Sequence, residues 1–285
     1  MTSAVVFAYH DVGVRCLQVL LDAAIDVRLV VTHRDDPAER LWFASVAELA
    51  RGQGLATLLD PDPAELERRV RAAAPDFVFS FYYRRMLPPA VLALAPRGAF
   101  NMHGSLLPQH RGRAPVNWAV LLGDSETGAT LHEMVAQPDA GRIVDQQAVP
   151  IGPDDTALEV FRRVTDAAEA VLRRSLPRLV NGTAALQPQD LARGSYHGAR
   201  RPEDGRIDWS KSAAEIHNLV RAVAPPFPGA FTEDRGRRRM ILRTQLDATR
   251  RAHPGRRGPY REGDAWFADC GDGRVLRLLE TDPPT

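Results

Sequence analysis

Ala99-Phe100-Asn101-Met102-His103-Gly104-Ser105-Leu106-Leu107-Pro108 has the pattern of a short strand that delivers two polar side chains to its end and then turns. Strand side chains alternate between faces, so Asn101 and His103 share one face at the carboxyl end of Ala99–His103. Toward the amino terminus, similar short apolar runs recur at residues 77–80, 56–59, 27–32 and 4–8. Between them lie segments of helical spacing. Residues 14–23 set Cys16, Leu17, Leu20 and Leu21 three and four positions apart, and Pro63–Ala73 repeats the period with Leu66, Val70 and Ala73. Apolar strands alternating with amphipathic helices predict an α/β fold with a doubly wound, mostly parallel sheet. Such sheets gather ligands at the carboxyl ends of their strands, where Asn101 and His103 fall.

Toward the carboxyl terminus, a helix from Pro115 through Trp118 and Leu122 is followed by a turn-forming cluster over 124–128. Two β-rich stretches, 129–135 and 142–149, are expected to pair as a hairpin around Asp139-Ala140-Gly141. Asp154-Asp155-Thr156 offers N-cap chemistry to a long helix with Leu158, Phe161, Val164, Ala168, Val171 and Leu172 on one face, and Asn181-Gly182 ends it. Past Leu191 the composition shifts to Gly, Arg and Pro, with strand-like pieces at 241–243, 265–267 and 275–278. The expected organisation is a catalytic domain over 1–190 and a smaller β-rich domain over 206–285.

With 285 residues and 44% hydrophobic composition, the chain can bury a sizeable core. Its formal net charge of +1 gives no global field toward nucleic acid or anionic lipid. No stretch approaches the roughly 18 apolar residues of a membrane helix. The opening residues lack the basic segment and cleavage site of a secretory signal, so a cytoplasmic setting is expected. Cys16 and Cys270 form no CxxC pair and are expected to be reduced and at least partly buried.

An Asn amide can donate to a developing oxyanion, and a His titrating near neutrality can exchange a proton with an attacking amine or a leaving nitrogen. Together they suit acyl transfer. A carboxylate such as Asp139 beside the imidazole would orient the ring and raise its pKa. The competing reading is structural: Asn-x-His closing a strand, and Asp-Ala-Gly as a simple turn. The long Ser105–Pro108 turn followed by Arg111-Gly112-Arg113-Ala114-Pro115 is more elaborate than a plain connector, which favours a site.

Phe79-Ser80-Phe81-Tyr82-Tyr83-Arg84, Asn101 through Pro108, Arg111 through Trp118 and Pro138-Asp139-Ala140-Gly141 resemble the 10-formyltetrahydrofolate-dependent formyltransferases. The likeness is strongest to members that formylate UDP-4-amino-4-deoxy-L-arabinose in lipid A modification. It extends to Val6 through Gly13, to Asn218 through Pro225 and to Pro228-Gly229-Ala230-Phe231, nearly the whole chain. The resemblance implies a Rossmann-like domain followed by an OB-like β-barrel. It implies that Asn101 stabilises the transition state, that His103 donates and accepts the proton, and that Asp139 raises the pKa of His103. It implies folate contacts at Arg85, Met86, Leu87 and Arg113, and along Val135, Ala136, Gln137, Pro138 and Asp139. Gln109-His110 and Gln137-Pro138 depart from the more basic or aromatic pairs of those members.

No Gly-x-Gly-x-x-Gly or Gly-Lys-Ser/Thr cradle follows the first strand, which argues against NAD and ATP. His10, at the end of the first strand, suits either the cleft or a turn, and His33, His110, His132, His197, His217 and His253 show no ligand spacing, so no metal is expected. Phe79, Phe81, Tyr82 and Tyr83 suit either a stacking platform or core packing. Arg235, Arg237, Arg238, Arg239, Arg243, Arg250, Arg251, Arg256 and Arg257 make the C-terminal part basic, as a solvated loop or as a holder of phosphates or RNA. The acceptors left open are a nucleotide-linked amino sugar, charged initiator tRNA and a hydroxyornithine. Hydroxyornithine formyltransferases usually carry an acidic residue where Gly104 stands. A non-enzymatic binding module is the remaining alternative.

Overall fold

The computed structural model describes residues 1–35, 41–234 and 236–282. In chain order the elements are β1 (Ser3–Ala8), α1 (His10–Asp22), β2 (Asp26–Thr32), α2 (Val46–Gly52), β3 (Thr57–Leu59), α3 (Pro63–Ala73), β4 (Phe77–Phe81), α4 (Pro89–Leu92), β5 (Ala99–His103), β6 (Arg111–Gly112) and α5 (Pro115–Leu122). They continue as β7 (Glu126–Glu133), β8 (Ile143–Pro150), α6 (Ala157–Val180), β9 (Tyr196–His197), α7 (Ala213–Val223), β10 (Ala230–Asp234), β11 (Arg237–Asp247), β12 (Gly258–Glu262), β13 (Ala265–Asp269) and β14 (Val275–Thr281). Two compact units share them. The first is built from Met1–Gly112, Gly128–Val149 and Arg163–Tyr196, the second from Arg113–Thr127, Pro150–Arg162 and His197–Thr285.

In the first unit a seven-stranded sheet has the order β3-β2-β1-β4-β5-β7-β8. The strands from β3 to β5 pair in parallel, and β7 runs antiparallel to β5. Every residue of β1 and β4 is buried, which is why both read as largely apolar runs, interrupted only by Ser3 and Ser80, rather than as alternating ones. One apolar cluster joins Val5, Phe7, Leu29, Val31, Leu58, Val78 and Leu87 to Leu66 and Val70 of α3. The N-cap of α3 is Asp62, whose carboxylate accepts from Ala64 N (2.9 Å) and Glu65 N (2.8 Å), with Pro63 opening the helix. The chain order reverses between β1 and β4, the place where doubly wound sheets open a crevice.

Two sequence expectations change here. The turn-rich stretch 124–128 is shorter than expected, because Glu126, Thr127 and Gly128 already belong to β7. Gly128 is required there, since a Cβ would collide with the Gln147 carbonyl of β8. Phe79 and Phe81 are core residues, fully buried and stacked on each other at 5.7 Å. Tyr83 instead stacks on His33 at 4.3 Å. At α6, Thr156 closes a capping box with Glu159, and Gly182 ends the helix with φ 68°.

The second unit holds a curled five-stranded antiparallel sheet, order β10-β11-β14-β13-β12, of OB-like form. Helix α7 packs on β11, its N-terminus closed by a Ser212–Glu215 capping box. Much of the arginine run is engaged within this unit. Arg238 lies over Phe231, Arg239 over Trp266, Arg250 over Phe267 and Arg256 over Tyr260. Arg250 also pairs with Glu262, and Arg256 with the buried Asp269. Arg235 lies outside the described residues. Cys16 and Cys270 are free thiols, both buried. Among the described residues, no helix is long and apolar enough to cross a membrane.

Candidate active site

Strand register brings the first two groups together. Asn101 on β5 sits opposite His132 on β7, and His103 opposite Thr130. The Asn101 Nδ2 and His132 Nε2 atoms are 3.1 Å apart. His132 Nδ1 is 2.9 Å from the Glu133 carbonyl, a contact only an N–H can make, which leaves Nε2 to accept from the Asn101 amide. The amide is thereby fixed in rotation with its nitrogen toward His132.

His103, buried at the end of β5, is gripped from both sides. Its Nε2 lies 2.9 Å from the His110 carbonyl and donates to it, while its Nδ1 is 3.6 Å from Asp139 Oδ1. Asp139 Oδ1 is also 3.5 Å from His132 Nε2, and Oδ2 accepts from Gly112 N at 2.8 Å. With Nε2 carrying a proton, Nδ1 of neutral His103 turns a lone pair toward a carboxylate. A second proton placed there is met by an opposite charge.

Burial pushes the His103 pKa down, and the neighbouring His132 and His110 push the same way. Asp139 and the His110 carbonyl push it up but do not compensate, so the net pKa lies below that of a free histidine. The upward pull assigned to Asp139 therefore exists, but it is not the dominant effect. Burial also opposes the charge of Asp139, yet His103 and the Gly112 N–H hold its carboxyl well below the usual range. At neutral pH the pair is an ionised carboxylate beside a neutral imidazole.

The backbone at this site is unusual. Asp139 has φ 53° and His110 φ 52°, the left-handed region that non-glycine residues enter at a cost of roughly 1–3 kcal/mol each. Gly141 closes the Asp139 turn so tightly that a Cβ would collide with the Glu133 carbonyl. Three further residues of this kind, His10, Asp60 and Tyr82, stand at or just past the carboxyl ends of β1, β3 and β4.

The formyl transferase family profile matches residues 6–176, and the profile of the formyl transferase C-terminal domain matches 200–285. The chain belongs to the formyl transferase family. Among solved structures, an N-formyltransferase from Helicobacter canadensis, in complex with folinic acid and dTDP-3-aminofucose, is 21% identical with a TM-score of 0.76. The match covers 98% of this chain and 99% of that one. WlaRD, a sugar 3N-formyl transferase crystallised with dTDP and 5-N-formyl-THF, is 19% identical with a TM-score of 0.77, over 98% and 99% of the two chains. HypX from Aquifex aeolicus, in complex with tetrahydrofolic acid, is 18% identical with a TM-score of 0.67, over 96% of this chain and 43% of its own. At these identities the likeness is one of fold.

In this formyl transferase the residues expected to meet folate are distributed unevenly. Leu87 is buried in the apolar cluster against which Met134, the residue before Val135, packs. Met86 and Val135 are exposed apolar side chains, 63% and 38% accessible. The Arg85 guanidinium is 3.0 Å from Asp60 Oδ1. Ala136 and Gln137 are exposed and Pro138 half-buried in the lead into Asp139. Arg113 belongs to the second unit, where its backbone N–H donates to the His197 carbonyl at 3.0 Å and His197 stacks on Trp118 at 4.5 Å.

Sequence reasoning missed His132, setting it aside for want of metal-ligand spacing. The signal was present: His132 lies in a stretch read as a strand, but only the β5–β7 register places it against Asn101. His10 packs rather than titrates. It stacks on Phe43 at 4.0 Å, and burial, aided by Arg84, lowers its pKa to about 3.

Proposed function

We propose that this formyl transferase moves the formyl group of 10-formyltetrahydrofolate to the amine of a nucleotide-linked amino sugar, with UDP-4-amino-4-deoxy-L-arabinose, the lipid A modifier, as the favoured acceptor. The observation that carries the reading is the placement of Asn101, His103 and Asp139 in one cluster at the carboxyl end of β5. The amine attacks the formyl carbon, and an Asn101 N–H donates to the oxygen on which negative charge develops. His103 accepts the proton lost by the amine and returns it to the folate nitrogen as the carbon–nitrogen bond to the donor breaks. Asp139 stabilises the imidazolium in between. Met86, Leu87 and the 135–139 stretch hold the pterin, with Arg85 as a further donor contact.

The acceptor class draws support from the sugar N-formyltransferases of like fold, which cover this chain almost end to end. Transfer RNA is disfavoured by the near-zero net charge and by arginines committed to aromatic faces and carboxylates of their own unit. The test offers purified protein and 10-formyltetrahydrofolate in parallel to UDP-4-amino-4-deoxy-L-arabinose, a TDP-linked amino sugar, hydroxyornithine and charged initiator tRNA. Formylation of either sugar nucleotide is expected. Formylation of tRNA or hydroxyornithine alone would overturn the assignment.

The lowered pKa of His103 fixes the sign of the pH dependence. The unprotonated ring is the active form, so kcat/KM rises with pH through the His103 pKa and is flat above it. Because that pKa lies below the ordinary 6.5, the midpoint of the acid limb is expected below pH 6.5. An initial-rate profile between pH 5 and 9 with a limb centred above 7 would contradict the assignment.

A further inference from the structure

Between α6 and β9 the chain has little regular structure, yet it is fastened along much of its length. Gln187 bridges to Ile143 of β8 through a reciprocal pair of backbone hydrogen bonds at 2.7 and 2.8 Å. Two residues on, the Gln189 side-chain nitrogen donates to both the Asp139 carbonyl (3.0 Å) and the Gly141 carbonyl (2.6 Å), spanning the turn that carries the carboxylate. Its Oε1 is buried without a hydrogen-bond partner, so the amide is held there by what its N–H groups do.

The far end of the same strap is sewn to the other loop. The Arg193 carbonyl accepts from Gln109 Nε2 at 2.7 Å, and Gly194 lies so close to the Pro108 carbonyl that a Cβ would collide. Ser195 Oγ accepts from His110 N at 2.9 Å, and the Ser195 carbonyl accepts from Arg111 N at 3.0 Å. The strap thus holds the two loops that supply the partners of His103: Asp139 at Nδ1 and the His110 carbonyl at Nε2. Both partners come from residues in left-handed backbone conformations, which persist only where their surroundings enforce them.

We propose that Gln189 and Ser195 are positioning residues of formyl transfer, Gln189 fixing Asp139 and Ser195 fixing the His110 carbonyl, so that the strap sets the orientation of the His103 ring. The inference rests on the reading of His103 as the proton carrier. Burial lowers the His103 titration most, Asp139 and the His110 carbonyl raise it, and His132 and His110 lower it; neither strap substitution replaces any of these residues, so a change in the titration reports their placement.

The test uses the full chain with Gln189→Met, which keeps length and loses both donors, and Ser195→Ala, which removes one acceptor. Formyl transfer from 10-formyltetrahydrofolate to UDP-4-amino-4-deoxy-L-arabinose is measured beside His103→Ala. The His103 ring is also titrated by NMR in ¹³C-histidine-labelled protein, a readout that needs no acceptor. Gln189→Met is expected to lower kcat about tenfold or more, as small misplacements of catalytic groups do, with KM for the folate within about threefold. The His103 titration should move down by about half a pH unit as the Asp139 contribution weakens. Ser195→Ala should lower kcat about threefold to tenfold and carries the test alone if Gln189→Met does not fold. A fall in melting temperature with kcat and the His103 titration unchanged would assign the strap a merely structural role and overturn the inference. Turnover surviving His103→Ala would instead sink the reading beneath it.

Discussion

Asn101→Ala is expected to cut formyl transfer by about 10²–10³-fold, the loss of one oxyanion donor, while leaving donor affinity nearly intact. The argument is one of fixed orientation. One Asn101 N–H is spent on His132 Nε2, and His132 is itself locked by the Glu133 carbonyl, so the remaining N–H points where the fold directs it at no cost during the reaction. Such an interaction grows as charge develops on the formyl oxygen and therefore lowers kcat rather than raising KM. Single-turnover rates combined with equilibrium titration of the folate check it. An equal loss in rate and folate affinity would mean that Asn101 binds the ground state.

His103→Ala is expected to lower kcat by about 10²–10⁴-fold and to abolish the acid limb of the pH–rate profile. The second half of that expectation is the more diagnostic. His103 is the buried, neutral imidazole at the centre of the site, held by Asp139 and the His110 carbonyl. Without it, any residual rate should be insensitive to pH across the region where the wild type titrates. A variant that is slow but keeps the same limb would assign the titration to another group.

The parallel strands were legible because burial on both faces favours apolar runs, as at 4–8 and 77–79, while Ala99–His103 showed itself by the alternation of Phe100 and Met102 with Asn101 and His103. Helix α3 was legible for the same kind of reason, with Pro63 at its start and Leu66 and Val70 on one face. Short elements such as α2, α4, β6 and β9 carry too few residues for a period to show. The stretch 124–128 misled because Thr127 and Gly128 look like turn residues, whereas Gly128 is chosen for close approach to β8. Asn101 and His103 could be paired from strand alternation alone. Their partners could not, because His132, the His110 carbonyl and Gln189 meet the site through sheet register and loop fastening. The arginine run likewise gave no sign in sequence that four of its members lie over aromatic rings.

Whether Asn101 and His103 act as one centre is decided most directly by the double variant Asn101→Ala/His103→Ala in single-turnover formyl transfer. Residues that stabilise the same transition state as a unit lose little more together than the worse single change, so the double variant should fall within about threefold of His103→Ala. A double loss equal to the product of the two single losses would show that the groups work independently and would contradict the shared centre at the end of β5.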